Sequence, residues 1–335
     1  MAQLFSAIGG HQANIQKLLK ALQQDHLAQT MIFAGPSGIG KKKVAVAMAQ
    51  ALLCETLQKG SESKSEALSA NVSMPCGQCG PCTRVASGNS ENIFLLKTEK
   101  APIKIDQCRE VLEYLSLRAL GKKRVVIIDQ AHWMNPSAAN AMLKIFEEPP
   151  EDSYFILITS SMGALLPTIK SRGQVVRFSP PSIVDMKRFK KAPEWAFRAS
   201  LGSFESLELL THSDEQELRE LAGVSLMNLV EDPWFYLTPE FKELGKDRTA
   251  AQRIIHFWCL LLRDAMLFQK GERDSLINAD QTQALAVLGR WNERALLKVT
   301  ERAFELESAL AQNRDATLLF EEFWLLSLED IEKNK

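Results

Sequence analysis

Nowhere does the sequence hold the roughly 20 consecutive apolar residues that a helix needs to span a bilayer. That absence excludes the helical membrane classes, and no membrane partner is expected. The opening MAQLFSAIGGHQ also lacks a charged segment followed by an apolar one, so no secretory leader is read there and the expected location is cytoplasmic. An excess of either charge is missing as well: 40 Lys and Arg against 41 Asp and Glu leave a net charge of −1. With no overall positive field, nucleic acid is met only through local basic surface, which argues against a free-standing DNA binder. Cysteine is scarce, six in 335 residues. In a cytosolic chain of this length, six thiols point to metal ligands or core packing rather than a disulfide framework. No repeat of fixed period is present. What is there, 46% hydrophobic and 24% charged residues, describes a globular chain with apolar material for two or three domains.

Residues 11–24 (HQANIQKLLKALQQ) place Ile15, Leu18, Leu19 and Leu22 on one helical face. Met31–Gly35 (MIFAG) reads as a short buried strand entering a glycine loop, and KKKVAVAMAQALL as the helix after it. From Gln58 to Ser73 the chain turns polar and rich in Ser, Lys and Glu, read as a mobile surface loop. Further strands are expected at Asn92–Leu96, Arg124–Asp129 and Tyr154–Thr159. Between them lie an amphipathic helix carrying Val111, Leu112, Leu115 and Leu117, and the helix NPSAANAMLKIFEE. Strands alternating with helices predict an α/β fold whose parallel sheet is covered on both faces. PTIKSRGQVVRFSPP closes this region, with Pro180-Pro181 as a boundary. Beyond it the periodicity is helical, as in Ile254, Ile255, Trp258, Leu261 and Leu262, so a C-terminal helical bundle is expected. Its Trp258, Trp291, Phe323 and Trp324 are read as core before interface.

Gly35-Pro36-Ser37-Gly38-Ile39-Gly40-Lys41 fits G-x-x-x-x-G-K between a strand and a helix, the context a P-loop requires. Its glycines let backbone N–H groups turn onto phosphate oxygens, the helix N-terminus adds its dipole, and Lys41 brings a point charge. ATP or ADP is the expected ligand. A hydrolysing P-loop enzyme follows the lysine with Ser or Thr to ligate Mg²⁺; here Lys42 follows, and an ammonium repels the metal unless it swings away. Val125–Asp129 is a buried run ending in an acid, placed like the aspartate that faces the same nucleotide. Gln130 comes next, and an amide cannot take a proton from water as a glutamate would.

Cys76-x-x-Cys79-x-x-Cys82, with Gly77, Gly80 and Pro81 between, is a tight knuckle that can fold three thiolates onto one ion. Cys54, expected on the helix after the P-loop, makes a fourth ligand. A closed four-thiolate shell predicts structural Zn²⁺, with an iron–sulfur cluster of similar spacing left open as the rival. Cys108 and Cys259 are read as inert core thiols.

The P-loop, the inserted four-cysteine module, the degenerate acidic strand end, AANAMLKIFEEPP (Ala138–Pro150) and TIKSRG (Thr168–Gly173) together resemble the bacterial DNA polymerase III clamp-loader subunits of the AAA+ superfamily. The motifs cover residues 1 to about 212. The resemblance implies an AAA+ P-loop domain of residues 1–179 with its zinc module at 54–82, a small helical lid at 180–212 and an all-α collar for oligomerisation at 213–335. It also implies a hetero-pentamer with motor and delta subunits that loads a sliding clamp on primed DNA. Lys42, Gln130 and Glu205 (in GSFES, where motor subunits resemble GSLRD) point to the delta-prime branch, with little or no hydrolysis of its own. The end at Lys335, without the longer motor form's extension, points the same way. Arg172 in Ser171-Arg172-Gly173 matches the family's SRC motif, which offers an arginine finger to a neighbour's ATP; Gly173 replaces the cysteine. The first sensor falls at Thr159 or Ser160. Other readings stay open: an ATP-hydrolysing motor subunit or a helicase, whose box Asp129-Gln130-Ala131-His132 echoes, and a sequence-specific DNA-binding zinc protein.

Overall fold

The computed structural model describes residues 4–62, 73–97, 101–116, 123–312 and 314–333. The chain forms two compact units, one of Met1–Lys191 with Gly202–Glu205 and one of Ala192–Leu201 with Ser206–Lys335. The segment 180–212 therefore contributes to both.

The first unit is built on five parallel strands, β1 (Thr30–Ala34), β2 (Ile93–Leu96), β3 (Arg124–Ile128), β4 (Ser153–Thr159) and β5 (Gln174–Arg177), in the order β2-β3-β4-β1-β5. Around them lie α1 (Gln12–Gln23), α2 (Lys41–Leu53), α3 (Glu55–Glu62), α4 (Gly80–Ala86), α5 (Ile105–Ser116), α6 (Pro136–Glu147) and α7 (Pro167–Lys170). Successive strand side chains point to opposite faces, and here both faces are buried. Met31, Phe33, Val125, Ile127, Ile156 and Ile158 share one apolar layer with Ile15 and Leu19 of α1 and Val44 and Met48 of α2. Ile32, Val126, Ile128, Phe155 and Leu157 share the other with Val111 of α5, Met142 of α6 and Ile169 of α7. A sheet covered on both sides has to be apolar at every position, which is why β1 and β3 read as unbroken runs rather than alternating ones.

Three details differ from the sequence reading. β5 forms a fifth strand that was not expected: it pairs only with β1, as an edge, and its mostly exposed residues carry no core pattern. The stretch from Gln58 to Glu62, expected as loop, continues α3. Leu57 packs on the first apolar layer, and the Gln58 side-chain amide donates to the Leu52 carbonyl at the end of α2 (2.9 Å). Residues 63–72 of that expected loop, and Leu117 of the amphipathic segment, lie outside the described residues. Cys54 does not continue α2 but ends it, with an extended backbone at the C-cap.

The second unit is helical, with no strand among its described residues. Helices Ser213–Glu231, Arg248–Gln269, Glu293–Ala311 and Ala316–Lys333 bury Trp258, Phe320, Phe323 and Trp324. Trp258 and Phe323 stack with ring centroids 4.8 Å apart. The Trp258 indole N–H reaches the Ala222 carbonyl and Ser225 hydroxyl, and that of Trp324 the Pro233 carbonyl. These aromatics, with Trp291, are core residues within this chain.

A polar knot crosses that core. The fully buried Asp264 carboxylate accepts from the backbone N–H groups of Ile277 (2.9 Å) and Asn278 (2.6 Å), from the Asn278 amide (3.0 Å) and from Arg263 (2.8 Å). Asn278 in turn accepts from Arg219, which forks onto Asp280 and lies 4.2 Å over the Trp195 ring. Asp264→Ala strands several buried donors at once and should lower stability by about 3 kcal/mol. Arg263→Ala, half exposed at 48%, should lower it by less than about 1 kcal/mol. Urea unfolding followed by circular dichroism measures both, and equal losses would refute this division of labour.

Candidate nucleotide and metal sites

The glycine loop lies at the carboxyl end of β1, which sits between β4 and β5 in the strand order. Open α/β sheets hold ligands at such edges. Gly35 donates its N–H to the Thr159 carbonyl of β4 (3.2 Å), and the Phe178 N–H reaches the Ala34 carbonyl (2.7 Å), so the loop starts from a fixed point. Gly38 has φ +71 and Gly40 φ +100, left-handed values that glycine adopts without strain. A side chain at Gly38 would also meet Ser203, and the Gly38 carbonyl accepts from the Phe204 N–H (3.0 Å). His11, itself at a left-handed φ, bonds through Nε2 to the Ile39 carbonyl (2.7 Å) and sets its ring edge-on to Phe178. A carbonyl only accepts, so Nε2 carries the proton; burial holds His11 below its usual pKa and favours the neutral ring.

Lys41 is buried at the first position of α2. Its Nζ donates back to the carbonyls of Gly35 (2.6 Å) and Pro36, across the mouth of the loop. Burial pushes its pKa down to about 8, against a smaller upward pull from Asp129. Lys42 does not swing away: its Nζ lies 2.8 Å from Asp129 Oδ2, joining the first turn of α2 to the end of β3. Thr159, the last residue of β4, is fully buried. Its hydroxyl donates to the Ser161 carbonyl and accepts from the Ser161 N–H and from His132 Nδ1 at 3.1 Å. Ser160 lies 3.4 Å from His132 Nε2. Desolvation, and then Lys41, hold His132 below its ordinary pKa. The structure thus brings Lys41, Lys42, Asp129 and Thr159 to one edge of the sheet and adds His11 and His132. His132 entered the sequence reading only as part of a helicase-like box, and His11 only as a helix-start residue.

Arg172 stands apart from this edge, after α7. Its Nε and Nη2 both reach Glu147 Oε1, and Nη1 donates to the Thr168 carbonyl (2.7 Å). Phe146, Glu147, Ser171 and Arg172 line one open hollow. The two motif segments that looked separate in sequence therefore touch through an ion pair, and Glu147 is a partner that sequence reasoning had given no role. Gly173 has its own reason: a Cβ there would lie 2.7 Å from Ile32 Cγ1, inside the sheet core.

The four predicted cysteines do converge. Their sulfurs lie within 4.8 Å of one another, with Cys54 to Cys76 at 3.7 Å and Cys76 to Cys82 at 4.0 Å. A tetrahedron of sulfurs about 2.3 Å from a central ion has edges of about 3.8 Å, so the set fits one metal ion. The backbone N–H groups of Gln78 and Cys79 point at Cys76 Sγ (3.5 and 3.3 Å), and that of Cys76 at Cys54 Sγ (3.4 Å). The Thr56 hydroxyl and those two N–H groups hold the Cys76 thiol down to about 6, while burial raises Cys79 and Cys82. Cys108 and Cys259, pushed by burial to about 11, are protonated thiols away from the cluster.

A parallel sheet whose first strand runs through a glycine loop into a helix defines the P-loop class of α/β proteins. Over residues 10–182 the chain matches the family described as DNA polymerase III, delta subunit, and over residues 221–330 that family's C-terminal part. The DNA polymerase III subunit delta' of Bacillus subtilis is 28% identical over 287 residues, 82% of this chain and 83% of that protein. Its Escherichia coli counterpart is 28% identical over 265 residues, 76% and 74% of the two. The tau/gamma subunit of Haemophilus influenzae is 30% identical over 170 residues, 50% of this chain and 22% of that one. A solved gamma-subunit-related protein from Thermotoga maritima aligns with 93% of this chain and 99% of its own at 18% identity, with a TM-score of 0.49. The chain belongs to the DNA polymerase III delta' clamp-loader family. It is a subunit of that polymerase complex, and no helix among its described residues is long and apolar enough to cross a membrane.

Changing Cys79 or Cys82 to Ser removes one ligand of the cluster. Each variant should lose the metal ion from protein purified without chelator, as measured by inductively coupled plasma mass spectrometry, and should become more open to proteolysis around α4. Cys108→Ser should keep its metal in full.

Proposed function

We propose that this chain is the stator of the clamp loader: a degenerate AAA+ subunit that hydrolyses little or no ATP itself and offers Arg172 to the ATP of a neighbouring motor subunit. The observation that carries this reading is the Lys42–Asp129 ion pair. It places an ammonium between the P-loop helix and the strand-end acid that a hydrolysing enzyme uses for its metal, and Gln130 leaves no carboxylate beside it to take a proton from water. Arg172 is suited to the contrary role. A guanidinium is planar and always charged, and at an open hollow it can exchange Glu147 for a phosphoryl group presented by another subunit.

In this reading residues 1–179 are the AAA+ domain, 180–212 the lid and 213–335 the collar that joins motor and delta subunits in a hetero-pentamer. The assembly opens the sliding clamp and sets it on primed DNA in the cytoplasm. Gly35, Pro36, Ser37, Gly38, Ile39, Gly40 and Lys41 cradle the phosphates of ATP or ADP, with Asp129 and Thr159 at the rim. Cys54, Cys76, Cys79 and Cys82 hold a structural Zn²⁺, whose chemistry is to lock the fold, since four thiolates leave no open coordination position.

Arg172→Ala should leave the circular dichroism spectrum unchanged and lower turnover at the neighbouring ATP site by about 10³-fold or more. Steady-state hydrolysis by the reconstituted assembly, with its other ATP sites disabled, measures this, and unchanged turnover would sink the finger assignment. The P-loop has its own test in pH. Lys41 starts with a depressed pKa of about 8, so above that pH the free protein loses the charge that meets phosphate. ADP affinity measured by calorimetry should be level below pH 8 and fall by up to about tenfold per pH unit above it. Lys41→Arg, which does not titrate in this range, should show no such fall.

A further inference from the structure

Lys42 is more than a missing metal ligand. Asp129 is only 17% exposed, and its Oδ2 is already committed to the Lys42 ammonium at 2.8 Å. Lys42 follows Lys41 directly in the first turn of α2, so its charge is tethered to the phosphate cradle. Mg²⁺ requires an octahedral oxygen shell at about 2.0–2.1 Å and gives up its water reluctantly. An ammonium in contact with the carboxylate at the end of β3 takes that place and repels the dication. The residues present therefore do not fit the Mg²⁺ that P-loop proteins ordinarily share with their nucleotide.

We infer that the Lys42–Asp129 pair is a built-in replacement for the divalent cation, so that this loop takes a nucleoside diphosphate in its metal-free form. This rests on the reading of Gly35–Lys41 as a phosphate cradle. Lys41 and Lys42 together supply two positive charges, one of them partly offset by Asp129, to the multiply charged diphosphate. A bound metal would add its charge to theirs and compete with Lys42 for Asp129 Oδ2. The site thus takes free ADP without needing the magnesium complex. With no divalent metal and with Gln130 in place of a carboxylate that could activate water, the bound nucleotide stays unhydrolysed and acts as a structural filler of the loop.

Isothermal titration of the full chain with ADP, in excess Mg²⁺ and again in EDTA, tests this. The wild type should bind as tightly in EDTA as in Mg²⁺, or more tightly. Lys42→Ser, which installs a metal-ligating hydroxyl, should lose about tenfold in EDTA, the worth of one charge-assisted hydrogen bond, and recover in Mg²⁺. Asp129→Asn frees the ammonium and should tighten binding in EDTA several-fold. Wild-type binding at least about fivefold tighter in Mg²⁺ would overturn the inference and leave the cradle standing. Binding by Lys42→Ser in Mg²⁺ but by the wild type in neither condition would show that Lys42 blocks rather than replaces, and would overturn it too. Silence from every variant in both conditions would remove the cradle itself and the inference with it.

Discussion

A sheet buried on both faces confines polar chemistry to its ends, and that constraint organises the first unit. Each interior position of β1, β3 and β4 goes to one apolar layer or the other. A charged or hydrogen-bonding side chain can enter only where a strand stops. Gly35 follows β1, Asp129 follows β3 and Thr159 ends β4, so three sequence-distant groups meet at one edge because the strands that carry them run parallel and lie close in the order β3-β4-β1. The backbone ties across that edge, from Gly35 to Thr159 and from Phe178 to Ala34, hold it without any ligand.

Charge at that edge is distributed to hold a fold more than to drive a reaction. Lys41 satisfies carbonyls of its own loop, Lys42 satisfies Asp129, and the Thr159 hydroxyl is engaged by His132 and by its own turn. Arg172 is the contrasting case. Its partner Glu147 belongs to the last turn of α6, on a side of the unit where an open hollow leaves the Arg172 side chain 28% exposed. An arginine so placed is oriented by the chain but not enclosed by it.

Much of the sheet was legible from residues alone, because full burial of β1, β3 and β4 forces a signal that sequence carries well: short unbroken runs of β-branched and aromatic side chains. The P-loop and the cysteine knuckle were legible because their spacing is local. Contacts that close over long separations were not. Lys42 meets Asp129 across 87 residues and Arg172 meets Glu147 across 25. In each case the residue types were visible while the pairing depended on how helices lie on the sheet. β5 escaped for a different reason: an edge strand bonded on one side and mostly open on its faces needs little hydrophobic pattern. The helical turn at Gln58 brings its side chain to the carbonyl of Leu52 and Leu57 to the core, contacts that composition does not reveal.

The helix α2 links the two candidate sites physically. Its first residue is the P-loop lysine, and the residue that ends it is Cys54, one of the four sulfurs. Near its far end the Gln50 amide bonds to the Cys82 carbonyl (3.0 Å). Thirteen residues at about 1.5 Å each make a rod of about 20 Å whose interior is almost wholly buried. A rod clamped at its far end cannot rotate or slide freely at its near end. The four-cysteine cluster therefore acts on the helix as an anchor bolt at the end opposite the glycine loop, and disturbing those sulfurs would be felt as play in a loop about 20 Å away.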